Sequence, residues 1–287
     1  MATLAVTGVT GGLGGRVARR LADRGVAQRL VVRNPSRAPQ LPGTEIVRAH
    51  YGDGEAMRRA LDGVDTLLLV SASEAFDRVR LHTGAVDAAV AAGVQRIVYT
   101  SFLACSADAT FTFARDHWHT EERLRQAGVR HTVLRDSLYL DFVPLFVGGD
   151  GVIRGPAGDG RVAAVARDDI ADVAVAVLLG DGHDGRTYDL TGPAAFALQQ
   201  AAEELSRVSG RTITYHAESI EEAYASRAGY GAPHWEVTGW VTTYVAIAVG
   251  DLEAVSDDVA GLAGHPPMDL AEFLRRNPDS YRHLVEG

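Results

Sequence analysis

The amino-acid sequence predicts an α/β fold: a Rossmann-like, doubly wound parallel sheet with a small C-terminal α/β lobe. Short runs rich in Val, Ile and Leu alternate with longer stretches whose apolar residues recur at helical spacing. The strand-like runs are almost continuously apolar, which is typical of parallel strands that are covered on both faces. A glycine-rich turn separates the first strand-like run from the first helical stretch. These three observations together predict the fold.

The elements of the larger domain come first. Strands are expected at 3–7, 28–33, 44–49, 65–71, 95–101 and 130–135. Amphipathic helices are expected between them, near 12–24, 54–62, 77–92 and 116–127. Because helices connect successive strands, the strands are expected to run parallel. We assign residues 1–136 to this domain and expect later segments to return to it.

Beyond residue 136 the alternation becomes less regular, starting with a glycine-rich segment at 147–160. The expected elements are a strand at 162–166, a helix at 167–181, a strand at 186–192, a helix at 198–208, a strand at 212–216 and an aromatic-rich helical segment at 219–250. No repeat or Pro/Ser-rich linker interrupts the chain. Residues 137–287 are therefore expected to form mainly the smaller, substrate-binding lobe of one integrated folding unit.

Composition excludes several classes of function. The formal net charge of −9 leaves no basic stripe for a nucleic acid. No apolar run approaches the length of a membrane span, and the single Cys105 fits a reducing compartment, so we expect a cytoplasmic protein. All 28 basic residues are arginine. The absence of lysine excludes Schiff-base chemistry and a Tyr-x-x-x-Lys catalytic pair, and we expect neither a metal nor a flavin.

The segment TGVTGGLGGRV, residues 7–17, carries the first functional signal. Its glycines follow a G-x-x-G-x-x-G spacing between the first strand and a helix that starts near Gly12. Such a loop makes a tight turn, lets the backbone approach a pyrophosphate and lets the helix pack closely on the strand. A plain strand-to-helix corner would also use glycine, but this context favours a dinucleotide. The expected cofactor residues of the loop are Gly8, Thr10, Gly11, Gly12, Leu13 and Gly14.

The end of the second strand indicates which dinucleotide is bound. Proteins that prefer NAD usually carry an acid there to bond the ribose 2′-hydroxyl. Here the sequence is VVRNPSR, with Arg33 and Arg37 and no acid. A guanidinium attracts a 2′-phosphate, so NADPH is expected to be preferred over NADH. Alternatively, these arginines are only solvated.

Three further loops at strand ends are candidate cofactor contacts. Asp53, in HYGD, faces the adenine or caps the next helix. The small side chains of VSASE leave room for the cofactor, and YTSFL ends the fifth strand beside the expected nicotinamide. The expected cofactor residues of the last two loops are Ser71, Ala72, Ser73 and Thr100.

Taken in order, the motifs resemble the NmrA-like, atypical short-chain dehydrogenase/reductase family. They are AVTGVTGGLGG, VVRNPSRA, AHYGDGEAMRRAL, LLLVSASE, AAGVQRIVYTS, HTVLRDSLYLDF and LAGHPPMDLAE. The resemblance covers essentially the whole chain and is strongest to the type 2 NADPH-dependent quinone oxidoreductases and the triphenylmethane dye reductases of that family. It implies NADPH bound in an extended pose across the sheet, and hydride transfer to a quinone or similar flat aromatic acceptor.

In typical short-chain dehydrogenases the proton donor is a tyrosine that depends on a lysine. This chain has no lysine, so it cannot use that donor. The corresponding helix begins ARDHWHTEERL and places His117 and Glu121 at i, i+4 spacing, where they could interact. An imidazole can donate to an oxygen that gains charge. Together with Ser101 these are the candidate catalytic residues. The alternative is a histidine paired with a surface glutamate.

Quinone reduction also lessens the need for a dedicated acid, because positioning over the nicotinamide can supply most of the catalysis. Ser101, Tyr139 and the region of Asp136 are then expected to orient the substrate. Phe102, Phe142 and Trp235 offer flat apolar surfaces for a ring, although large aromatic residues are also common in cores.

Two other functions stay open. One is a redox-sensing regulator that binds NADP(H) without turnover and acts through a protein partner. The other is a ketoreductase for an aromatic natural product. The sequence also leaves a homodimer open.

Overall fold

The computed structural model describes residues 4–285. The strands are β1 (Leu4–Thr7), β2 (Gln28–Val32), β3 (Thr44–Arg48), β4 (Thr66–Leu69), β5 (Arg96–Phe102), β6 (Arg130–Asp136), β7 (Val152–Gly155), β8 (Arg161–Val162), β9 (Thr187–Leu190), β10 (Phe196–Ala197) and β11 (Thr214–Ala217). The helices are α1 (Gly12–Asp23), α2 (Gly54–Ala60), α3 (Arg78–Ala91), α4 (Thr112–Ala127), α5 (Arg167–Leu179), α6 (Leu198–Ser209), α7 (Ile220–Arg227), α8 (His234–Ala248), α9 (Asp258–Ala263), α10 (Leu270–Arg276) and α11 (Arg282–Val285).

A seven-stranded sheet with the order β3-β2-β1-β4-β5-β6-β9 confirms the predicted doubly wound architecture. β1 runs parallel to both of its neighbours, and Val6 is paired with Leu30 on one side and with Leu68 on the other. The chain leaves β1 toward β2 and β3, and later returns to the opposite side of β1 to add β4. Ligands of such sheets bind where the strand order reverses, at the carboxyl ends of the strands.

The chain divides into two compact units. The first contains the described residues of Met1–Ala107, together with Asp116–Arg135 and Arg167–Tyr188. Its core lies between the sheet and α2 and α3, where Met57, Leu67 and Val86 are fully buried. Each such side chain contributes roughly 1.5–3 kcal/mol through the apolar surface that it removes from water.

The second unit contains Asp108–Arg115, Asp136–Ala166 and the described residues of Asp189–Gly287. β7 pairs in parallel with β11, and β8 pairs antiparallel with β10. A small apolar cluster joins α7 to α8 through Ala223, Val237 and Val241. This unit also buries an ion pair in which Arg227 Nη1 donates to Glu218 Oε2 at 2.8 Å.

Several predicted bounds are wrong in the irregular half of the chain. The strand expected at 162–166 is a ladder only over Arg161–Val162. The next amides donate to loops instead, Ala163 to the Leu252 carbonyl and Val165 to the Leu138 carbonyl. The helical segment expected at 219–250 is divided into α7, a short 3-10 turn at Ala228–Tyr230, and α8. Gly231, with φ at 66°, ends that turn before α8 begins.

Candidate active site

Two glycines of the first loop are required by the backbone around them. Gly8 has a φ of +65°, and a Cβ there would lie 2.9 Å from Val70 Cβ. A Cβ on Gly14 would lie 2.5 Å from the Gly8 carbonyl oxygen. The first glycine therefore makes the turn out of β1, and the second lets α1 pack against that turn.

The N-terminus of α1 has no side-chain cap. Gly11 caps it without a side-chain hydrogen bond, and the first turn holds no acidic residue. The backbone amides of this turn carry partial positive charge at the carboxyl end of β1. Leu13 is buried, so only its backbone is available there, whereas Thr10 is exposed. A Cβ on Gly12 would lie 2.1 Å from Nη1 of Arg167, which adds a cation that the sequence analysis missed.

A partly buried tyrosine, Tyr51, joins the ends of β1 and β4. The Tyr51 hydroxyl lies 2.6 Å from both Thr7 Oγ1 and the Val70 carbonyl oxygen. Thr7 Oγ1 also accepts from the Val70 amide at 2.9 Å. Burial raises the pKa of Tyr51, so the phenol keeps its proton. In the sequence, these hydrogen bonds were signalled only by the position of Tyr51 in the HYGD loop.

The residues after β2 carry two exposed guanidiniums, those of Arg33 and Arg37. Neither forms an ion pair within residues 4–285. Asn34 Oδ1 accepts from the Ser36 amide at 3.1 Å and so fixes the turn that carries both arginines. In contrast, Asp53 is a helix cap: its Oδ1 accepts from the Ala56 amide at 2.9 Å.

The loop after β4 is held by side chains from two other elements. The Ser71 amide donates to Thr100 Oγ1 at 2.8 Å, and the Ala72 amide donates to His82 Nε2 at 2.8 Å. Arg78 Nε donates to the Ala72 carbonyl at 2.9 Å. Ser73 is exposed. The expected cofactor loop is therefore fixed at the ends of β4 and β5.

Glu121 is the acceptor at the centre of a buried polar cluster. Its Oε1 accepts from Ser101 at 2.7 Å and from Cys105 at 3.0 Å. Arg135 donates to both carboxylate oxygens, at 2.9 and 2.8 Å. Burial alone would raise the pKa of Glu121, but these bonds, with Arg135 first, bring that pKa below its usual value. Burial and then the charge of Glu121 raise the pKa of Cys105 to about 12.

His117 does not pair with Glu121, so the expected i, i+4 contact is wrong. Its Nδ1 lies 2.9 Å from the Tyr99 hydroxyl. Burial, followed by the charges of Arg78 and His82, lowers the pKa of His117 well below its ordinary value. The ring is therefore neutral at physiological pH, while the Glu121 carboxylate is attracted to Arg135.

The candidate substrate residues belong to different units. Phe102, in the first unit, has its ring centroid 6.2 Å from that of His117. In the second unit the Tyr139 ring centroid lies 5.6 Å from that of Phe142 with the rings tilted by 31°, and that of Trp235 lies 5.9 Å from Phe113. Phe142 is 39% exposed, which fits a surface that meets a ligand more than a core residue.

A buried carboxyl stands beside Tyr139. Tyr139 donates its hydroxyl proton to Asp136 Oδ2 at 2.8 Å, whereas Asp136 Oδ1 is buried and has no hydrogen-bond partner among residues 4–285. Burial raises the pKa of Asp136 to about 8, against the opposing effect of the Tyr139 bond. This carboxyl is therefore protonated at neutral pH.

A family model described as NAD(P)H-binding matches residues 8–181, more than half of the 287 residues. The chain belongs to this NAD(P)H-binding family. It is 37% identical over 280 residues to quinone oxidoreductase 2 of Escherichia coli, covering 94% of this chain and 97% of that protein. The match to a full-length reductase shows that the chain is an NAD(P)H-dependent oxidoreductase.

Solved structures of the family agree with this assignment. The NADPH-dependent quinone oxidoreductase of Escherichia coli complexed with NADPH superposes with a TM-score of 0.87 at 35% identity, over 95% of this chain and 99% of that chain. The Citrobacter sp. triphenylmethane reductase complexed with NADP(H) gives 0.85 at 31% identity, over 95% and 99%. Both relatives lie within the family groups that the sequence motifs resemble.

Among residues 4–285, no three His, Cys, Asp or Glu side chains converge in a way that could hold a metal ion. Within the same residues, no helix is long and apolar enough to cross a membrane.

Proposed function

We propose that the protein is a reductase that uses NADPH in preference to NADH and transfers a hydride to a quinone or a similar flat aromatic acceptor. The observation that carries the cofactor preference is the turn after β2. Arg33 and Arg37 are exposed there without an ion pair in the described chain, and residues 33–37 include no carboxylate. Two such cations attract a 2′-phosphate through charge-assisted hydrogen bonds.

The glycine loop supports the rest of the cofactor assignment. The amides at the start of α1, from Gly11 to Gly14, would hold the pyrophosphate, and Arg167 adds positive charge beside Gly12. The loop of Ser71 and Ala72, which is held by the hydrogen bond from the Ser71 amide to Thr100, would lie beside the nicotinamide. When bound, NADPH supplies the hydride.

Each unit offers apolar rings that would suit a flat acceptor: Phe102 in the first unit, and Tyr139, Phe142 and Trp235 in the second. His117 is a neutral imidazole and would donate a hydrogen bond to the acceptor oxygen. The hydroxyl of Ser101 is used by Glu121, so we assign this pair to supporting the site and not to proton transfer.

The relatives' names support a quinone-type acceptor, since one is a quinone oxidoreductase and another reduces triphenylmethane dyes. The test is to mix the purified protein with NADPH and a panel of quinones and to follow the loss of reduced nicotinamide. Consumption that depends on both the protein and a quinone is the expected result. Tight NADP⁺ binding without consumption would instead support the regulator alternative.

A further inference from the structure

His117 belongs to a group of buried polar side chains in the first unit whose other members have no assigned part in the reaction so far. His82, Tyr99 and Thr120 are fully buried, and His117 is 4% exposed. His82 Nδ1 lies 3.0 Å from Thr120 Oγ1 and 3.3 Å from the Tyr99 hydroxyl. Tyr99 in turn lies 2.9 Å from His117 Nδ1. Buried polar groups of this kind specify one hydrogen-bond arrangement.

The direction of donation along this series of hydrogen bonds is fixed at its His82 end. The Ala72 backbone amide can only donate, so His82 Nε2 must accept. Burial, then the charge of Arg78, lowers the pKa of His82 to about 3, so the ring is neutral and its one proton is on Nδ1. That proton is directed at Thr120 Oγ1, and the Thr120 hydroxyl in turn donates a hydrogen bond to the Asp116 carbonyl at 2.9 Å.

The same reasoning extends through Tyr99 to His117. His82 Nδ1 already holds a proton and cannot accept the one on the phenol. The other acceptor to consider for the Tyr99 proton is Thr120 Oγ1, which already accepts from His82. An unprotonated His117 Nδ1 is a better acceptor than that hydroxyl oxygen. Tyr99 therefore donates to His117 Nδ1, and the proton of the neutral His117 ring is left on Nε2. No hydrogen-bond partner of that nitrogen lies among residues 4–285, and the His117 side chain keeps an accessible fraction of 4%.

We propose that Tyr99 and His82 are positioning residues, which hold His117 in the tautomer that presents Nε2–H as a hydrogen-bond donor to the acceptor oxygen. This inference rests on the proposed function. The series begins at the Ala72 amide, in the expected cofactor loop. One set of hydrogen bonds therefore joins that loop to His117.

A neutral imidazole in this tautomer can stabilise negative charge on the acceptor oxygen by a hydrogen bond, without giving up its proton. Bound NADPH would supply a hydride, with both of its electrons, to the acceptor and would be left as NADP⁺. Negative charge then develops on the acceptor's oxygen, where a fixed N–H donor stabilises it. Water supplies the proton that completes the hydroquinone. A donor that is already oriented does not have to reorganise when this charge develops. The hydrogen bond from Tyr99 to His117 Nδ1 would provide that orientation.

The first test reads the tautomer directly. The protein is labelled with ¹⁵N-histidine, and the His117 signals among the 10 histidines are assigned by their loss in His117→Gln. We expect a protonated Nε2 and an unprotonated Nδ1 in the wild-type protein, and a mixture of tautomers in Tyr99→Phe. A wild-type His117 protonated on Nδ1, with its proton directed at the phenol oxygen, would overturn the proposal whatever the activity.

The second test is kinetic and has a matched control. Tyr99→Phe should lower kcat for quinone reduction at least about tenfold, as expected for a wrongly oriented or wrongly protonated histidine. The KM for the quinone and the Kd for NADPH should stay within about twofold, because neither ligand loses a contact. Tyr188→Phe removes the same hydroxyl from a second Tyr–His pair of this unit, Tyr188 and His183 at 2.8 Å, and should leave kcat unchanged.

The outcomes separate the two proposals. An unchanged kcat in a folded Tyr99→Phe protein would refute the positioning role even if quinone reduction is real. If the wild-type protein does not oxidise NADPH with any quinone, the proposed function fails, although the NMR experiment still reads the tautomer. Circular dichroism confirms that each variant is folded before its kinetics are compared.

Discussion

Arg135 holds Glu121 by two parallel hydrogen bonds, with Nε 2.9 Å from Oε1 and Nη2 2.8 Å from Oε2. Glu121 is 1% exposed, so its carboxylate depends on this cation and on the donors Ser101 and Cys105. The geometry explains why the glutamate is not the partner of His117. It also leads to a stability prediction.

Arg135→Met should destabilise the protein by about 3 kcal/mol, because it leaves a buried carboxylate without its cation. Urea unfolding, with and without the substitution, measures the change. Arg125→Met is the control: Arg125 is 45% exposed and lies 3.7 Å from Glu121, so its loss should cost less than about 1 kcal/mol. Equal effects of the two variants would mean that the paired geometry of Arg135 is unimportant.

Arg33→Glu should weaken NADPH binding about 10- to 100-fold, because one charge-assisted bond to a phosphate is lost and a repulsion is added. NADH lacks the 2′-phosphate, and its affinity should change little. Fluorescence titration with both cofactors gives the two Kd values. Arg24→Glu, an exposed arginine at the other end of α1, controls for the change in net charge. Equal losses for NADPH and NADH would remove the 2′-phosphate assignment.

Gly14→Ala should reduce stability by about 1–3 kcal/mol and weaken the binding of both cofactors, because the new Cβ meets backbone that cannot move without opening the turn. Thermal unfolding and cofactor titration measure the two effects. Gly54→Ala is the matched control, since its Cβ would meet nothing within 4 Å at the start of α2. There the change should be neutral or stabilising by up to about 1 kcal/mol. A well-folded Gly14→Ala protein with normal cofactor affinity would contradict the packing argument.

Asp136 should give the protein a pH-dependent stability. The pKa of its carboxyl is raised to about 8 in the folded protein, so the folded state keeps a proton that the unfolded state loses from about pH 4 upward. The resulting stabilisation is complete below about pH 4 and is lost as the pH rises through about 8. Relative to Asp136→Asn, which cannot ionise, the wild-type protein should be less stable at high pH than at low pH. Urea unfolding of both proteins across this range tests it, and parallel curves would show that the carboxyl titrates normally.

Local patterns were enough to predict the sheet and the tight glycine turn after β1. The buried strands are continuous apolar runs, and the roles of Gly8 and Gly14 follow from their spacing, so both signals lie within a few residues. The placement of Arg33 after β2 is local in the same way. In the second unit the amides of Ala163 and Val165 bond to loops distant in sequence, which explains why the expected strand there was too long.

The sequence by itself therefore determined the doubly wound fold, the tight glycine turn after β1 and the absence of any lysine-based mechanism. Only the tertiary structure decided how the polar residues are paired. Glu121 could face His117 on its own helix, but the neighbouring strand β6 brings Arg135 to its carboxylate, and β5 brings Tyr99 to the imidazole. Tyr51 and Arg167 likewise reach the first loop from elsewhere in the chain. Helical spacing limits which residues share a face, whereas the charges and acceptors packed against that face select the partners.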